Sequence, residues 1–213
     1  MKIVIVDYQM GNLRSVQKAL EHVGASATVS SDPKVVEAAD KVILPGVGAF
    51  GDAMSELKSR SLVEPICEFI SQDKPFLGIC LGLQMLLDSS DEGTGRGEES
   101  LPGMGVIAGD VRRFDFSAVP DSKDLKIPHM GWNRIEEVQT DCPLLAGIES
   151  DAHFYFVHSY YVAPSSADDV WLQADYGGKF CAAIWRGNAF ATQFHPEKSQ
   201  RDGLRMLQNF AEL

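Results

Sequence analysis

The first half of the chain alternates between short apolar runs and longer amphipathic segments. Residues 2–6 and 41–44 are typical of buried strands, whereas apolar residues recur at helical spacing over residues 13–23. Such alternation implies right-handed crossovers and a mostly parallel sheet, with ligands at the carboxyl ends of its strands. The second half is richer in strands. We therefore predict an α/β fold, with a central mostly parallel sheet flanked by helices and an additional antiparallel strand region in the second half.

The pattern also predicts where the elements begin and end. We expect Asn12 to cap the first helix and Gly24 to close it. One long helix is predicted over residues 52–70, and another directly after Cys80. An exposed acidic loop, rich in glycine and serine, is predicted over residues 88–102. Further predicted strands cover residues 27–29, 76–80, 106–114, 132–136, 153–162, 170–174, 179–185 and 189–194, and a final helix covers residues 199–213.

Length, charge and cysteine usage limit the possible classes of function. A chain of 213 residues can bury one full core, so we predict a single domain over residues 1–213. The net charge of −11 argues against a nucleic-acid or membrane surface, since either would need a cationic patch. No segment matches a signal peptide or a membrane span, so we expect a cytoplasmic protein. The four cysteines fit neither a zinc site nor a disulfide scaffold, and we expect no metal and no cofactor.

Cys80 is a candidate nucleophile. It lies where a buried strand is predicted to meet a helix, between Gly78 and Gly82. Such small neighbours permit the strained strand-to-helix turn that raises a nucleophile above a sheet. The free N–H groups at the start of the helix would favour a thiolate and an oxyanion beside it. The alternative is a buried structural cysteine, which is common among free cysteines.

His195 and Glu197 could complete a catalytic triad with Cys80. Both close the last predicted strand, and side chains two residues apart on an extended chain point to the same side. Glu197 could then bind one imidazole nitrogen of His195 and leave the other for Cys80. Either residue alone is more often structural. Together with Cys80 they predict the nucleophile, base and orienting carboxylate of acyl transfer.

Residues 46–51 match the Gly-x-Gly-x-x-Gly pattern of dinucleotide-binding sites. However, the match follows an interior strand, Pro45 precedes it, and no acidic residue ends the next strand. We therefore favour a different role, in which backbone N–H groups of Gly46, Val47 and Gly48 help to bind an oxyanion.

These motifs resemble those of class I (triad) glutamine amidotransferases, over essentially the whole chain. Within that superfamily, five separated segments look like the glutaminase subunits of imidazole glycerol phosphate synthases. The resemblance implies a single-domain, flavodoxin-like glutamine amidotransferase type 1 fold. The acidic loop after Ser90 and the segment from Phe116 to Lys126 match none of the motifs. The five matching segments are residues 7–13, 45–52, 127–133, 155–160 and 195–199.

The resemblance also assigns chemical roles to individual residues. It implies that Cys80 attacks the side-chain amide carbon of glutamine, forming a glutamyl thioester and releasing ammonia before water frees glutamate. His195 would act as base and then as acid, and Glu197 would fix its tautomer. The N–H group of Leu81 would bind the oxyanion, together with one from residues 46–48. Gln84 and Glu92 match positions that hold the amino-acid end of glutamine, and the backbone of His158, Ser159 and Tyr160 would complete the substrate pocket.

A second polypeptide is implied as well, because the chain has no credible phosphate-binding loop for the reaction that consumes ammonia. The resemblance supplies a cyclase barrel, bound as a heterodimer, that makes imidazole glycerol phosphate and an aminoimidazole carboxamide ribotide in histidine biosynthesis. Candidate interface residues are Met130 and Trp132, with Asn12 and Lys198 near the active-site face. We further hypothesise that the backbone of residues 46–48 reaches its catalytic orientation only when the cyclase binds.

Two alternatives remain open from the sequence. Another triad amidotransferase or a gamma-glutamyl hydrolase would share the triad but not the Pro-His-Met-Gly-Trp-Asn segment of residues 128–133. A non-catalytic binding scaffold would be expected to carry a substituted Cys, His or Glu, and this chain retains all three.

Overall fold

The computed structural model describes residues 1–93, 99–120 and 122–213. Its strands are β1 (Ile3–Val6), β2 (Ala27–Ser30), β3 (Lys41–Gly46), β4 (Phe76–Cys80), β5 (Leu87–Ser90), β6 (Leu101–Pro102), β7 (Ile107–Arg113), β8 (His129–Arg134), β9 (Glu136–Glu137), β10 (His153–His158), β11 (Tyr160–Pro164), β12 (Val170–Asp175), β13 (Lys179–Arg186) and β14 (Ala189–Thr192). Its α-helices are α1 (Leu13–His22), α2 (Pro33–Glu37), α3 (Phe50–Ser59), α4 (Val63–Ser71), α5 (Leu81–Gln84) and α6 (Gln200–Glu212).

One large sheet runs through the molecule in the order β2-β1-β3-β4-β14-β13-β11-β7-β5-β6, with β12 and β9 attached beside β13. The strands from β2 to β14 pair in parallel. The pairs from β14 through β13 and β11 to β7 are antiparallel. This arrangement confirms the predicted α/β fold with its antiparallel region. It also brings the carboxyl ends of β3, β4 and β14 next to one another.

Apolar side chains cover both faces of the sheet. Along β1, Ile3 and Ile5 face one core, and Val4 and Val6 face the other, as expected for a strand buried on both sides. Helices α1 and α6 pack over the first core, whereas α2, α3 and α4 cover the second. Burying each large apolar side chain contributes about 1.5–3 kcal/mol, so the two cores hold the strand ends in place.

The single helix predicted over residues 52–70 is wrong, because the structure contains α3 and α4 with a turn between them. The N–H of Ser61 donates to the Lys58 carbonyl, and the N–H of Leu62 donates to the Leu57 carbonyl, both at 3.0 Å. These bonds form a Schellman motif, which ends a helix. Ser61 occupies its left-handed position with φ +54°. Glycine is usual there, so the sequence lacked the usual stop signal.

The helix predicted after Cys80 is also much shorter than expected. Helix α5 has only four residues, and β5 begins at Leu87, inside the region where we predicted helix and then loop. The Leu86 carbonyl accepts the N–H groups of both Val106 and Ile107 at 2.9 Å. Pairing with the distant β7 therefore outweighs the helical spacing of the leucines. Residues 94–98 of the predicted acidic loop lie outside the described residues.

The strand predicted over residues 153–162 is two strands that break at Ser159. Strand β10 pairs with β8 in a separate two-stranded sheet, which we call the β8–β10 ribbon, and β11 returns to the main sheet beside β7. The ribbon includes the two exposed residues predicted for the interface. In the unmatched segment from Phe116 to Lys126, residue 121 lies outside the described residues.

Helix α1 begins directly after Asn12 and is followed by Gly24 at φ +82°, as predicted. The Asn12 side chain makes no capping hydrogen bond, so the capping role predicted for it is wrong. The backbone carbonyl of Asn12 instead accepts the N–H groups of Ser15 and Val16. No helix of the described residues is both long and apolar enough to cross a membrane.

Candidate active site

Cys80 ends β4 in a strained turn. Its φ of +54° and ψ of −107° lie outside the regions that suit a residue with a side chain. Gly82, on the other side of the turn, packs so closely on β3 that a Cβ atom there would clash with the Leu44 carbonyl oxygen. A glycine at 82 is therefore required for α5 to pack against the sheet. This geometry is the strand-to-helix turn of a nucleophile elbow.

His195 lies beyond the end of β14, which pairs with β4. Its Nδ1 is 2.8 Å from the Glu197 carboxylate, and both side chains are almost fully buried. Its backbone is held on two sides, because its N–H donates to the Tyr155 carbonyl at 3.0 Å and its carbonyl accepts the Ser199 hydroxyl at 2.6 Å. The imidazole thus has a fixed position at the carboxyl end of the sheet.

The physical reason that we gave for the His195–Glu197 contact is wrong in one respect. Strand β14 ends at Thr192, so these two residues are not on an extended strand. Glu197 instead lies in a 3₁₀ turn over Pro196–Lys198 that directly follows His195. The turn brings the carboxylate back to the imidazole.

The electrostatics of His195 depend on Cys80. Burial by itself lowers the pKa of His195, but the charge of Cys80, followed by the hydrogen bond and charge of Glu197, raises that pKa to about 10. The Nε2 atom of His195 is buried and forms no hydrogen bond among the described residues. The imidazole is therefore favoured in its protonated form when a thiolate is present at Cys80.

A cavity of about 380 Å³ opens in front of Cys80 and His195. Gly46 and Glu197 do not line it. Gly46 lies beside Cys80 in the sheet register, and Glu197 lies behind the imidazole. Most residues that the sequence predicted for the site do line the cavity, namely Val47, Gly48, Cys80, Leu81, Gln84, Glu92, His158, Ser159, Tyr160 and His195.

The predicted oxyanion donors differ in their availability. Leu81 is the first residue of α5, so its N–H has no acceptor within the helix. The N–H of Val47 donates to the Met10 carbonyl at 3.0 Å and is not available to a ligand in this conformation. Gly48 follows with φ +104°, a backbone conformation that favours glycine. In this conformation of residues 46–48, the Val47 N–H therefore cannot donate to an oxyanion as predicted.

Gln84 and Glu92 both line the cavity, and both also bind protein groups. The side-chain N–H groups of Gln84 donate to the Tyr160 carbonyl at 3.0 Å and to the Gln193 side chain at 3.1 Å. The Glu92 carboxylate accepts a hydrogen bond at 2.5 Å from the N–H of Phe50, the first residue of α3. Burial raises the pKa of Glu92. This contact with the start of α3 was not predicted from the sequence.

Comparison with known proteins identifies the family of the chain. The family described as "Glutamine amidotransferase class-I" matches residues 4–213. The HisH subunit of imidazole glycerol phosphate synthase from Rhodopirellula baltica is 56% identical over 209 residues, covering 98% of this chain and 96% of the relative. The HisH subunit from Syntrophotalea carbinolica is 53% identical, covering 99% of this chain and 100% of the relative. The chain belongs to the class-I glutamine amidotransferases, among the HisH subunits.

Solved structures agree with this fold. The structure of PurLQS from Thermotoga maritima superposes with a TM-score of 0.73 at 20% identity, covering 99% of this chain and 97% of that chain. A second structure, described as a glutamine amidotransferase, has a TM-score of 0.71 at 18% identity, covering 99% of each chain. At these identities the likeness concerns the fold alone.

The residues expected at a HisH interface lie on the surface. Met130 and Trp132 of the ribbon are 62% and 45% exposed, unusual values for large apolar side chains. The Trp132 ring packs edge-on against Tyr155, and the Lys198 ammonium lies 5.9 Å from the centre of the same tyrosine ring. Asn12 is partly exposed. The described residues contain no group of three or more His, Cys, Asp or Glu side chains that could hold a metal ion.

The sequence analysis missed two polar features of this amidotransferase site. Gln193 is fully buried behind the nucleophile, and its amide nitrogen is 3.6 Å from the Cys80 sulfur. Nδ1 of His129 and Nε2 of His158 are 3.0 Å apart, and both rings are buried. A signal existed for Gln193, which is two residues before His195 at the same strand end. His129 and His158 are brought together only by the ribbon pairing.

Proposed function

We propose that this chain is the glutaminase subunit of an imidazole glycerol phosphate synthase, with Cys80 as nucleophile, His195 as proton carrier and Glu197 as orienting carboxylate. The observation that carries the proposal is the position of His195, between the Glu197 carboxylate and the Cys80 sulfur at the edge of the cavity. Its relatives at 53–56% identity are named HisH subunits of that synthase.

The chemistry follows from the charges in the site. The Cys80 thiolate attacks the amide carbon of glutamine, and the amide oxygen takes up the negative charge. The imidazolium of His195 then gives its proton to the leaving nitrogen, so that ammonia departs and a glutamyl thioester remains. Neutral His195 next takes a proton from the water that attacks the thioester, and the Cys80 thiolate leaves as the C–S bond breaks. The thiolate and the imidazolium are thereby restored, and the new carboxyl group of glutamate gives its proton to solvent. Glu197 keeps the proton of the neutral ring on Nδ1 throughout.

The oxyanion needs donors that are in place before the reaction. The N–H of Leu81 supplies one, and a rotated peptide within residues 46–48 supplies the other. Each such donor contributes about 3 kcal/mol to lowering the barrier. Because the Val47 N–H is bound to the Met10 carbonyl, the second donor requires a local change in backbone. We assign that change to binding of the cyclase subunit.

Gln84 and Glu92 bind the amino-acid end of glutamine in this proposal. Both side-chain N–H groups of Gln84 are already used, so its side-chain oxygen is the atom that can accept from the substrate ammonium. Glu92 contributes a carboxylate to the lining of the same cavity. The backbone of residues 158–160 forms the remaining wall.

The ammonia passes to a cyclase subunit, which binds as a heterodimer partner. Met130 and Trp132 form the apolar centre of this interface, and Asn12 and Lys198 lie at its edge. Aromatic side chains and methionine are enriched in protein interfaces, and tryptophan is among the residues that contribute most to binding energy. We also propose that residues 1–213 act as one amidotransferase domain in the cytoplasm.

Measuring glutamine turnover by the purified chain, with and without a cyclase subunit, tests this function. We expect glutamate formation with the cyclase, and labelling of Cys80 by a glutamine-like electrophile. Cys80→Ala should abolish glutamine-dependent turnover but leave the complex able to use ammonium salts. Cys67→Ala is the matched control, since Cys67 lies half-buried on α4 away from the cavity. Labelling at Cys67, Cys142 or Cys181 instead of Cys80 would contradict the proposal.

A further inference from the structure

Gln193 is buried behind Cys80 and has no part in the mechanism described so far. It is fully buried and does not line the cavity, so it cannot bind glutamine in this structure. Its side-chain oxygen accepts from Gln84 at 3.1 Å, and its side-chain nitrogen lies 3.6 Å from the Cys80 sulfur, within hydrogen-bonding range for sulfur. A buried amide needs partners for both its oxygen and its nitrogen, and Gln193 finds one of each.

The orientation of this amide is fixed by its neighbours. The Tyr160 carbonyl can only accept, so the atom of Gln84 that approaches it must be the side-chain nitrogen. The second N–H of that nitrogen then points to Gln193, which must present its oxygen. The nitrogen of Gln193 is therefore the atom that faces the sulfur. Rotating the Gln193 amide by 180° would place two donors face to face and an oxygen against the sulfur.

The Tyr160 carbonyl is itself part of a longer chain of hydrogen bonds. It accepts from Nδ1 of His158 at 2.8 Å, so that nitrogen carries the proton of the ring. Burial lowers the pKa of His158 to about 3 and the pKa of His129 to about 4, so both rings are neutral. Nε2 of His158 then accepts from Nδ1 of His129, and Nε2 of His129 accepts from the Asn133 side chain at 3.3 Å. One arrangement of protons satisfies every bond.

We propose that Gln193 is a positioning residue for Cys80, which donates a hydrogen bond to the sulfur and is held in that orientation by the chain from Asn133 through His129, His158, Tyr160 and Gln84. The N–H stabilises a thiolate and keeps the sulfur directed at His195 and the cavity. Its effect on turnover of glutamine rests on the function proposed above. Its effect on the sulfur does not.

Alkylation of Cys80 tests this role without any substrate or partner. The full chain is treated with iodoacetamide between pH 5 and pH 10, and the adduct on each cysteine is measured by mass spectrometry. Gln193→Met keeps the length of the side chain but removes the donor. We expect alkylation of Cys80 at pH 7 to become about tenfold slower, because a hydrogen bond to a charged group is lost.

Two controls separate this effect from a loss of packing. Thr192→Val removes a different buried hydrogen bond, from the Thr192 hydroxyl to the Phe194 carbonyl, and should leave the profile of Cys80 unchanged. The alkylation rate of Cys67, measured in the same sample, shows whether the reagent itself is equally reactive in each experiment. The other ionisable groups near the sulfur are His195, Glu197 and Tyr8, and none changes in these variants. If Gln193→Met and Thr192→Val gave the same Cys80 profile as the unmodified chain, the proposal would be wrong.

A measurement on the unmodified chain covers the case in which Gln193→Met does not fold. Nitrogen-15 spectra of the histidine rings distinguish a proton on Nδ1 from one on Nε2. We expect His129 and His158 to carry theirs on Nδ1 and neither to titrate between pH 5.5 and pH 8. A proton on Nε2 of either ring, or titration in this range, would overturn the chain that orients Gln193. Normal alkylation of Cys80 without glutamine turnover would instead contradict the proposed function.

Discussion

The two halves of the proposed site, His195 with Glu197 for proton transfer and residues 46–48 for the oxyanion, are held very differently. His195 and the Glu197 side chain are almost fully buried, and Nδ1 of His195 is 2.8 Å from the Glu197 carboxylate. Val47 lies on the neighbouring strand end, is 39% exposed, and has its N–H bound to the Met10 carbonyl rather than open to the cavity. The comparison shows that folding alone places the imidazole and its carboxylate partner. The oxyanion site is the half that still has to be completed.

The largest effect is expected from Glu197→Gln, which alters the preformed half. The amide cannot hold the proton of His195 on Nδ1 as a carboxylate does, so glutamine turnover in the complex should fall by about 10³-fold to 10⁴-fold. Use of added ammonium salts should persist. Steady-state assays with each nitrogen source measure both quantities. A loss of both activities would indicate that Glu197 is needed for folding rather than for proton transfer.

Gly48→Ala alters the other half and should have the next largest effect. Its φ is +104°, and a Cβ atom there would lie 2.9 Å from the Met10 side chain. We expect glutamine turnover in the complex to fall by about 100-fold, the usual effect of losing one oxyanion donor. Alkylation of Cys80 should not change. Gly24→Ala is the matched control, because Gly24 also has a positive φ but lies in open space after α1. Slower alkylation in Gly48→Ala would mean that the two halves are not independent.

Trp132→Ala tests the proposed interface with the cyclase subunit. Since Trp132 is 45% exposed, we expect binding of the cyclase to weaken about tenfold or more while the melting temperature of the isolated chain stays nearly constant. Calorimetric titration measures the affinity. Val138→Ala removes another exposed apolar side chain, which is 47% exposed and outside the ribbon, and should bind normally. Equal affinities for the two variants would place the interface elsewhere.

The smallest effect concerns stability at alkaline pH. The folded chain raises the pKa of His195 to about 10, whereas an unfolded histidine has a pKa near 6.5. The resulting stabilisation is fully present below pH 6.5 and is lost as the pH rises towards 10. Urea unfolding should therefore give a falling free energy of unfolding over this range. Cys80→Ala should fall less steeply, because the charge of Cys80 is the largest cause that raises this pKa. Identical slopes would contradict the thiolate–imidazolium pair.

The parts of this site that are local in sequence could be predicted. The glycines around Cys80 indicated the strained turn, and the alternation of strands and helices indicated a site at the carboxyl ends of parallel strands. The short α5 could not be predicted, because Leu86 and its neighbours pair with β7, about twenty residues away. The orientation of the Val47 N–H could not be predicted either, because it depends on the Met10 carbonyl of another loop. The chain through Gln193, His129 and His158 depends on contacts between four strands or strand ends, which no local pattern specifies.

The pairing of the β8–β10 ribbon places strict limits on insertions and deletions. Met130 and Trp132 face outward, whereas His129 lies inward opposite His158 in the same register. Removing or adding one residue within β8 would exchange the two faces, since side chains alternate along a strand. The His129 imidazole would then point to solvent, and the Trp132 indole would point towards His158 and the hydrogen bonds that orient Gln193. Length variation among natural homologues should therefore be confined to segments outside this strand.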